Sequence, residues 1–310
     1  MASIREIKRR MRSVKNIMQV TMALEAVSVS KVPRTTAQAV ASRAYANLAM
    51  EVLNDIASAN QSGTPLHPLL TTGRNDRAIT ILLITSDRGL AGAYNANIIR
   101  IARRFVHDGG FTPDKGKTVR WVAIGRKGRD ALLRMGEQVV AEFVGLPSWL
   151  TIRDIRPIAR ILIDDFLNDH TGEVYIAHTA FINTLTQRPR IQRLFPLIPG
   201  ESIELSGREY MEPQHVSTTR LPDYIYEPSA HAILDQIVPR FTEVVIYQSI
   251  LESIASEHSA RMVAMRNASD NARTLLDALQ LSYNKARQSS ITGEMLDIVG
   301  GVEALRTKAK

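Results

Sequence analysis

FTEVVIYQSILESIASEHSARMVAMRNASDNARTLLDALQLSYNKARQSSIT, residues Phe241–Thr292, contains neither glycine nor proline. The stretch between Pro239 and Gly293 has room for one helix of roughly 80 Å. A three-four spacing runs through it: Leu234, Ile237, Phe241, Val244, Gln248, Leu251, Ala255, His258, Met262, Met265, Ser269, Ala272, Leu276, Leu279, Tyr283 and Ala286. Most of these are apolar, and such a pattern held beyond three heptads argues for a coiled coil. A helix this long does not fit inside one compact domain and needs a partner.

The only other long pattern of this kind is at the opposite end of the chain. Ile4, Ile7, Met11, Val14, Met18 and Thr21 keep the same spacing, and Leu24 and Val27 continue it after a one-residue slip. Arg5, Lys8, Arg9, Arg12 and Lys15 fall on the other face. The pattern resumes through TTAQAVASRAYANLAMEVLNDIASA and stops at QSGTPLHP. Pro33 interrupts it, lacks a donor for the carbonyl of Val29, and predicts a kink or break. Two long patterns at the two ends predict an antiparallel coiled coil formed by residues 1–60 with 230–310.

Residues 75–200 alternate differently. AITILLIT reads as a strand buried on both faces, and residues 92–108 as a helix. VRWVAIG, QVVAEFVG, EVYIAHTAFIN and IQRLFPLIP read as further strands, the last with prolines suited to an edge. RKGRDALLRM and TIRDIRPIARILIDDFLND read as helices between them. Strands alternating with helices predict a Rossmann-like, mostly parallel α/β domain inserted between the two halves of the coiled coil. Residues 200–229 read as a connecting loop region.

Composition narrows the function. The 310 residues carry a formal charge of +8, which favours an acidic partner. Aromatics make up only 5%, too few for a base-stacking surface. There is no cysteine, which excludes disulfides, thiolate metal sites and cysteine nucleophiles. The seven histidines are scattered and none forms a metal-binding pair, so no metal and no cofactor is expected. No apolar run is long enough to span a bilayer as a helix.

TSDRGLAGAYN, Thr85–Asn95, raises the alternative of a nucleotide-binding enzyme, because it joins a buried strand to a helix through glycines. Gly89 and Gly92 give only GxxG, no third glycine follows, and the second strand ends at Arg126 and Lys127 rather than at an acid. The P-loop pattern is absent. Asp87 suits capping of the turn as well as it suits chemistry. The bland reading, a structural turn, is preferred. Asp164 and Asp165 read as a solvated helix face. Glu257 and His258 are adjacent and read as pointing in different directions. A third reading, salt-sensitive nucleic-acid binding by the basic helix, is weakened because that helix commits its other face to a seam.

Four stretches resemble the gamma-subunit family of F-type ATP synthases. They are RRMRSVKNIMQVTMALEAVSVSK (Arg9–Lys31), TSDRGLAGAYN, LPDYIYEPSA (Leu221–Ala230), and the tail ASEHSARMVAMRNASDNARTLLDALQLSYNKARQSSITGEMLDIVGGVEAL (Ala255–Leu305). The resemblance runs nearly end to end. It implies a central rotor shaft inside a sleeve of α and β subunits, with the globular domain resting on the epsilon subunit and the c-ring. It implies no active site and no cofactor of the chain's own. Arg287 and Gln288 match the pair that touches a β-subunit loop, with Thr292 and Asp297 as further polar contacts there. Tyr224, Tyr226 and Glu227 match the region that meets epsilon and the c-ring loops. Pro33 and Gly293 depart from the family pattern, Gly293 at a cost of about 1 kcal/mol against alanine. The missing cysteines argue against the redox-regulated chloroplast form. The amphipathic start continues into a folded helix rather than ending as a transit peptide. The implied place is therefore the cytoplasmic face of a bacterial membrane, held there through the complex.

Overall fold

A computed structural model describes residues 3–59, 67–71, 75, 77–111, 116–147, 149–197 and 230–308. Five helices and five strands follow one another among them: α1 (Ile4–Ala59), β1 (Ala78–Ile84), α2 (Tyr94–Asp108), β2 (Thr118–Ile124), α3 (Arg126–Arg134), β3 (Val139–Phe143), α4 (Ile152–Leu167), β4 (Glu173–Phe181), β5 (Gln187–Phe195) and α5 (Ala230–Lys308). The chain divides into two compact units, Met1–Val27 with Met262–Lys310, and Ser28–Arg261. Helices α1 and α5 contribute to both.

In the first unit, α1 and α5 pair side by side. The Thr21 and Ser269 hydroxyls share a hydrogen bond of 2.7 Å, and Arg266 Nε lies 3.2 Å from Glu25 Oε1. The partner number falls on one helix as it rises on the other, so the pair is antiparallel. The buried residues form a narrow stripe: Ile7 and Thr21 on α1, and Met265, Ser269 and Ala272 on α5. The small Thr21, Ser269 and Ala272 let the two backbones approach closely.

The larger unit is a layered α/β body. Its sheet has the order β3-β2-β1-β4-β5, with the first four strands parallel and β5 antiparallel at one edge. Strand β1 reads AITILLI because both of its faces are covered. Ile79, Ile81 and Leu83 meet Ile98 and Ala102 of α2 and Leu132 of α3 on one side. On the other side Leu82 and Ile84 share a core with Ile155, Ile158 and Leu162 of α4 and with Leu234, Val238 and Phe241 of α5. Each such side chain contributes about 1.5–3 kcal/mol by leaving water. Here α5 is a core helix, with Val244, Val245, Ile246, Ile250 and Leu251 all buried.

The structure overturns the break expected at Pro33. Helix α1 runs through it without a break. Pro33 lies on the exposed side of the helix, and Val29, whose carbonyl loses its donor, is 45% exposed. Water can satisfy that carbonyl, while the burial of Ser28 and Val32 on the far side holds the helix together. The one-residue slip in the seam is also corrected. Val27 is 53% exposed, whereas Ser28 is buried, so the heptad continues in its original phase through Glu25 and Ser28. Gly293 lies within α5 without ending it.

Asp165 is a third correction. It is buried rather than solvated: Oδ2 accepts from the Thr80 hydroxyl at 2.8 Å and from Arg120 Nε at 3.0 Å, and Oδ1 accepts from Arg120 Nη2 at 2.8 Å. Burial works against the charge of Asp165, but the bonds from Arg120 and Thr80 outweigh it and hold the carboxyl below its usual range. Its neighbour Asp164 is exposed, as expected.

Candidate functional site

Strand order reverses between β1 and β4, and in a doubly wound sheet the crevice at that point, beyond the carboxyl ends of the strands, is the usual ligand site. TSDRGLAGAYN lies there, following β1. Its first three residues occupy the amino end of α3. Asp87 Oδ1 accepts from Arg126 N at 3.0 Å, Ser86 O from Lys127 N at 3.1 Å, and Thr85 Oγ1 from Gly128 N at 2.8 Å. Asp87 Oδ2 also accepts from Gly145 N, 2.8 Å away beyond β3. The first amides of α3, the helix beside the turn, are thus taken by the turn itself. Gly125 is required here. Its φ is +86°, and an added Cβ would stand 2.3 Å from the Thr85 carbonyl oxygen.

The rest of the crevice is filled by α5. Ser253 Oγ accepts from Thr179 N at 3.3 Å, and the Ser256 hydroxyl donates to Thr179 O at 3.2 Å. One turn on, Arg261 is 9% exposed and donates to the Gly89 carbonyl at 3.3 Å, while ion-pairing with Glu257 at 2.6 Å. Its Nη1 also lies 3.5 Å from His258 Nδ1. Glu257 and His258 therefore meet at one guanidinium, contrary to the expectation that they point apart. Burial raises the Glu257 carboxyl against the pull of Arg261. His258 is pushed down to about 4 by burial and by the cations Arg261 and Lys31. Tyr94 is buried beside the same residues, and burial drives its hydroxyl far above the ordinary range. The turn acts as a bracket between the sheet and α5.

Arg287, Gln288, Thr292 and Asp297 all project from α5 in the first unit and are exposed. At about 100° per residue, Gln288 and Thr292 lie within about 40° of each other, and Asp297 lies about 80° from Arg287 on its other side. Thr292 Oγ1 donates to Gln288 O at 3.0 Å, so its hydroxyl is partly engaged by the helix itself. Tyr224, Tyr226 and Glu227 lie outside the described residues. The sequence reading missed the apolar side chains of this segment. Ile291, Met295, Leu296, Ile298 and Val299 are 46–67% exposed. The register of Thr21 with Ser269 carries Ile4, the first residue of α1, to the level of about residue 286. Beyond that level α5 continues by roughly 33 Å, and Gly293, Gly300 and Gly301 have open space beside them. Five apolar side chains past the end of the seam were the available signal.

The profile of the family described as ATP synthase matches residues 3–305. A gamma chain of ATP synthase from Herpetosiphon aurantiacus is 44% identical over 310 residues, covering 98% of this chain and 99% of the relative. The chain belongs to the ATP synthase gamma chain family. A second gamma chain, from Dehalococcoides mccartyi, is 44% identical over 305 residues, covering 98% of this chain and all of the relative. Among solved structures, a chain of the Euglena gracilis mitochondrial ATP synthase, in an assembly of OSCP, F1 and c-ring, superposes with a TM-score of 0.65 at 16% identity, covering 99% of this chain and 96% of the other. A chain of the central stalk and c-ring assembly of Tetrahymena thermophila gives a TM-score of 0.57 at 20% identity, covering 81% and 99%. The fold is thus shared with chains of these ATP synthase assemblies. Among the described residues no helix is long and apolar enough to cross a membrane.

Proposed function

We propose that this chain is the central rotor shaft of an F-type ATP synthase and carries rotation of the c-ring to catalytic sites on the β subunits. The observation that carries this is 44% identity to a gamma chain over 98% of the sequence. The structure agrees in physical terms. Two antiparallel helices with a closed seam resist bending better than one, and the small seam residues keep the pair slim. The exposed cations of α1 suit acidic surfaces met in turn, since exposed ion pairs are worth only about 0–1 kcal/mol each and release readily.

In this reading residues 1–60 with 230–310 form the shaft, residues 75–200 the globular body, and residues 200–229 the connection. Arg287 and Gln288 meet a β-subunit loop, with Thr292 and Asp297 as further polar contacts in the same zone. Ile291, Met295, Leu296, Ile298 and Val299 sit against apolar surface supplied by the α and β sleeve, because an exposed apolar segment of this size marks a protein contact. Tyr224, Tyr226 and Glu227 meet epsilon and the c-ring. The chain is peripheral, held at the cytoplasmic face of a bacterial membrane through the complex. Copurification tests the reading. A tagged chain expressed in its own cell should bring α, β and epsilon subunits in fixed proportion, and recovery of the chain alone would refute it.

A further inference from the structure

The larger unit contains a second polar cluster where α1, α5 and the end of β4 meet. Glu252 is 1% exposed, and its Oε1 accepts from Arg43 Nη2 at 3.0 Å and from Gln248 Nε2 at 2.8 Å. Arg43 Nη2 also donates to the carbonyl of Phe181, the last residue of β4, at 3.3 Å. Gln248 Nε2 reaches Ala39 O of α1 at 3.3 Å, and the Ser42 hydroxyl donates to Gln248 Oε1. His178 of β4 places Nε2 3.9 Å from Glu252 Oε2, with Arg190 opposite it on β5. Glu252 thus ties α5 to α1 through Arg43, and the same guanidinium reaches the end of β4, while His178 approaches Glu252 without a hydrogen bond.

Apolar residues would fill this place at least as stably, because the hydration that two charges lose in leaving water offsets most of their attraction. What a charged, hydrogen-bonded cluster adds is direction. Apolar helix faces slide and rotate past one another at little cost, whereas a carboxylate held at fixed angles by a guanidinium and an amide resists both motions. The cluster lies where a shaft would have to be fixed to its body.

We propose that Glu252 is the positioning hub of a torque-bearing joint, which keeps α1 and α5 from slipping against the sheet when the body is turned. This rests on the rotor reading. The test uses the whole complex, stripped of its own gamma chain and rebuilt with variants. Ions pumped per ATP hydrolysed are measured with and without an opposing gradient. The double variant Arg43→Met/Glu252→Met leaves no buried unpaired charge. It should assemble, melt no lower than wild type and hydrolyse ATP normally without load, yet lose at least half of its pumping ratio against a gradient. Adding Ser42→Cys/Gln248→Cys and bridging the two thiols, the only ones in a cysteine-free chain, should restore the ratio. An unchanged ratio in the double variant, or no recovery after bridging, overturns the joint. Should the double variant not assemble, Glu252→Gln decides in the same assay, since it keeps the shape and loses the charge. Failure of the unaltered chain to restore any coupled pumping would instead refute the rotor reading.

Discussion

Asp87 offers the sharpest test of what the glycine turn does. Its carboxylate accepts from two backbone amides, Arg126 N at 3.0 Å and Gly145 N at 2.8 Å, and so joins the ends of β1, β2 and β3. Asp87→Ala leaves both amides without that partner. A hydrogen bond to a charged group is worth roughly 1.5–3 kcal/mol. The side chain is 27% exposed, so water recovers part of each bond, and a total loss of about 2 kcal/mol follows. At roughly 2–4 °C per kcal/mol for a body of this size, the melting temperature should fall by about 4–8 °C. Asp87→Asn keeps one acceptor oxygen and should lose about half as much. Thermal unfolding followed by circular dichroism reads both. The reassembled complex should retain ATP hydrolysis below the melting range with either variant. If Asp87→Ala melts with the wild type while hydrolysis collapses, the carboxylate does chemistry and the bracket is wrong.

Other outcomes follow from the same contacts. Pro33→Ala restores a donor to the Val29 carbonyl in an unbroken helix, and should stabilise by roughly 2 kcal/mol once the proline's restriction of the unfolded chain is subtracted; a lower denaturation midpoint would show that proline is favoured there. His258 is held neutral down to about 4 by burial, Arg261 and Lys31. The unfolded chain protonates its histidines near 6.5, so it binds more protons than the folded chain between those values, and stability falls as pH drops from about 6.5 towards 4. His258→Gln should flatten part of that slope in melts taken across the range, and an unchanged slope would remove the histidine from the account. Arg287→Ala, at an exposed position on α5, should change stability by no more than about 0.5 kcal/mol and lower coupled pumping several-fold; normal pumping and hydrolysis in the rebuilt complex would take Arg287 out of the interface.

The long helices were legible because their signal is a repeat. All sixteen seam positions read on α5 are buried or half-buried. Where the reading failed, polarity was taken for exposure. Glu25 and Ser28 were passed over for Leu24 and Val27, yet the seam uses a serine that fits closely and a glutamate that reaches Arg266. Asp165 was placed in solvent because its partners, Arg120 and Thr80, lie 45 and 85 residues away and only the sheet brings them together. The polar contacts of the candidate interface came from resemblance alone. Its apolar side chains were visible in the sequence, but they became noticeable only when the pairing register showed where α1 ends.

The glycine turn shows most clearly where a local reading stops. A phosphate site and a structural bracket ask for the same chain: a strand, a tight turn that lets backbones approach, and a helix with free amides. TSDRGLAGAYN meets that description either way. What separates the two is who takes the amides and who fills the crevice. Here the turn is answered from elsewhere in the chain: Thr85, Ser86 and Asp87 reach the first amides of the neighbouring α3, and the crevice receives Ser253, Ser256 and Arg261 from a helix more than 150 residues further along. The missing third glycine leaves the occupant of the crevice unnamed. Only the fold supplies it, because the residue that answers the turn is chosen by where α5 crosses the sheet.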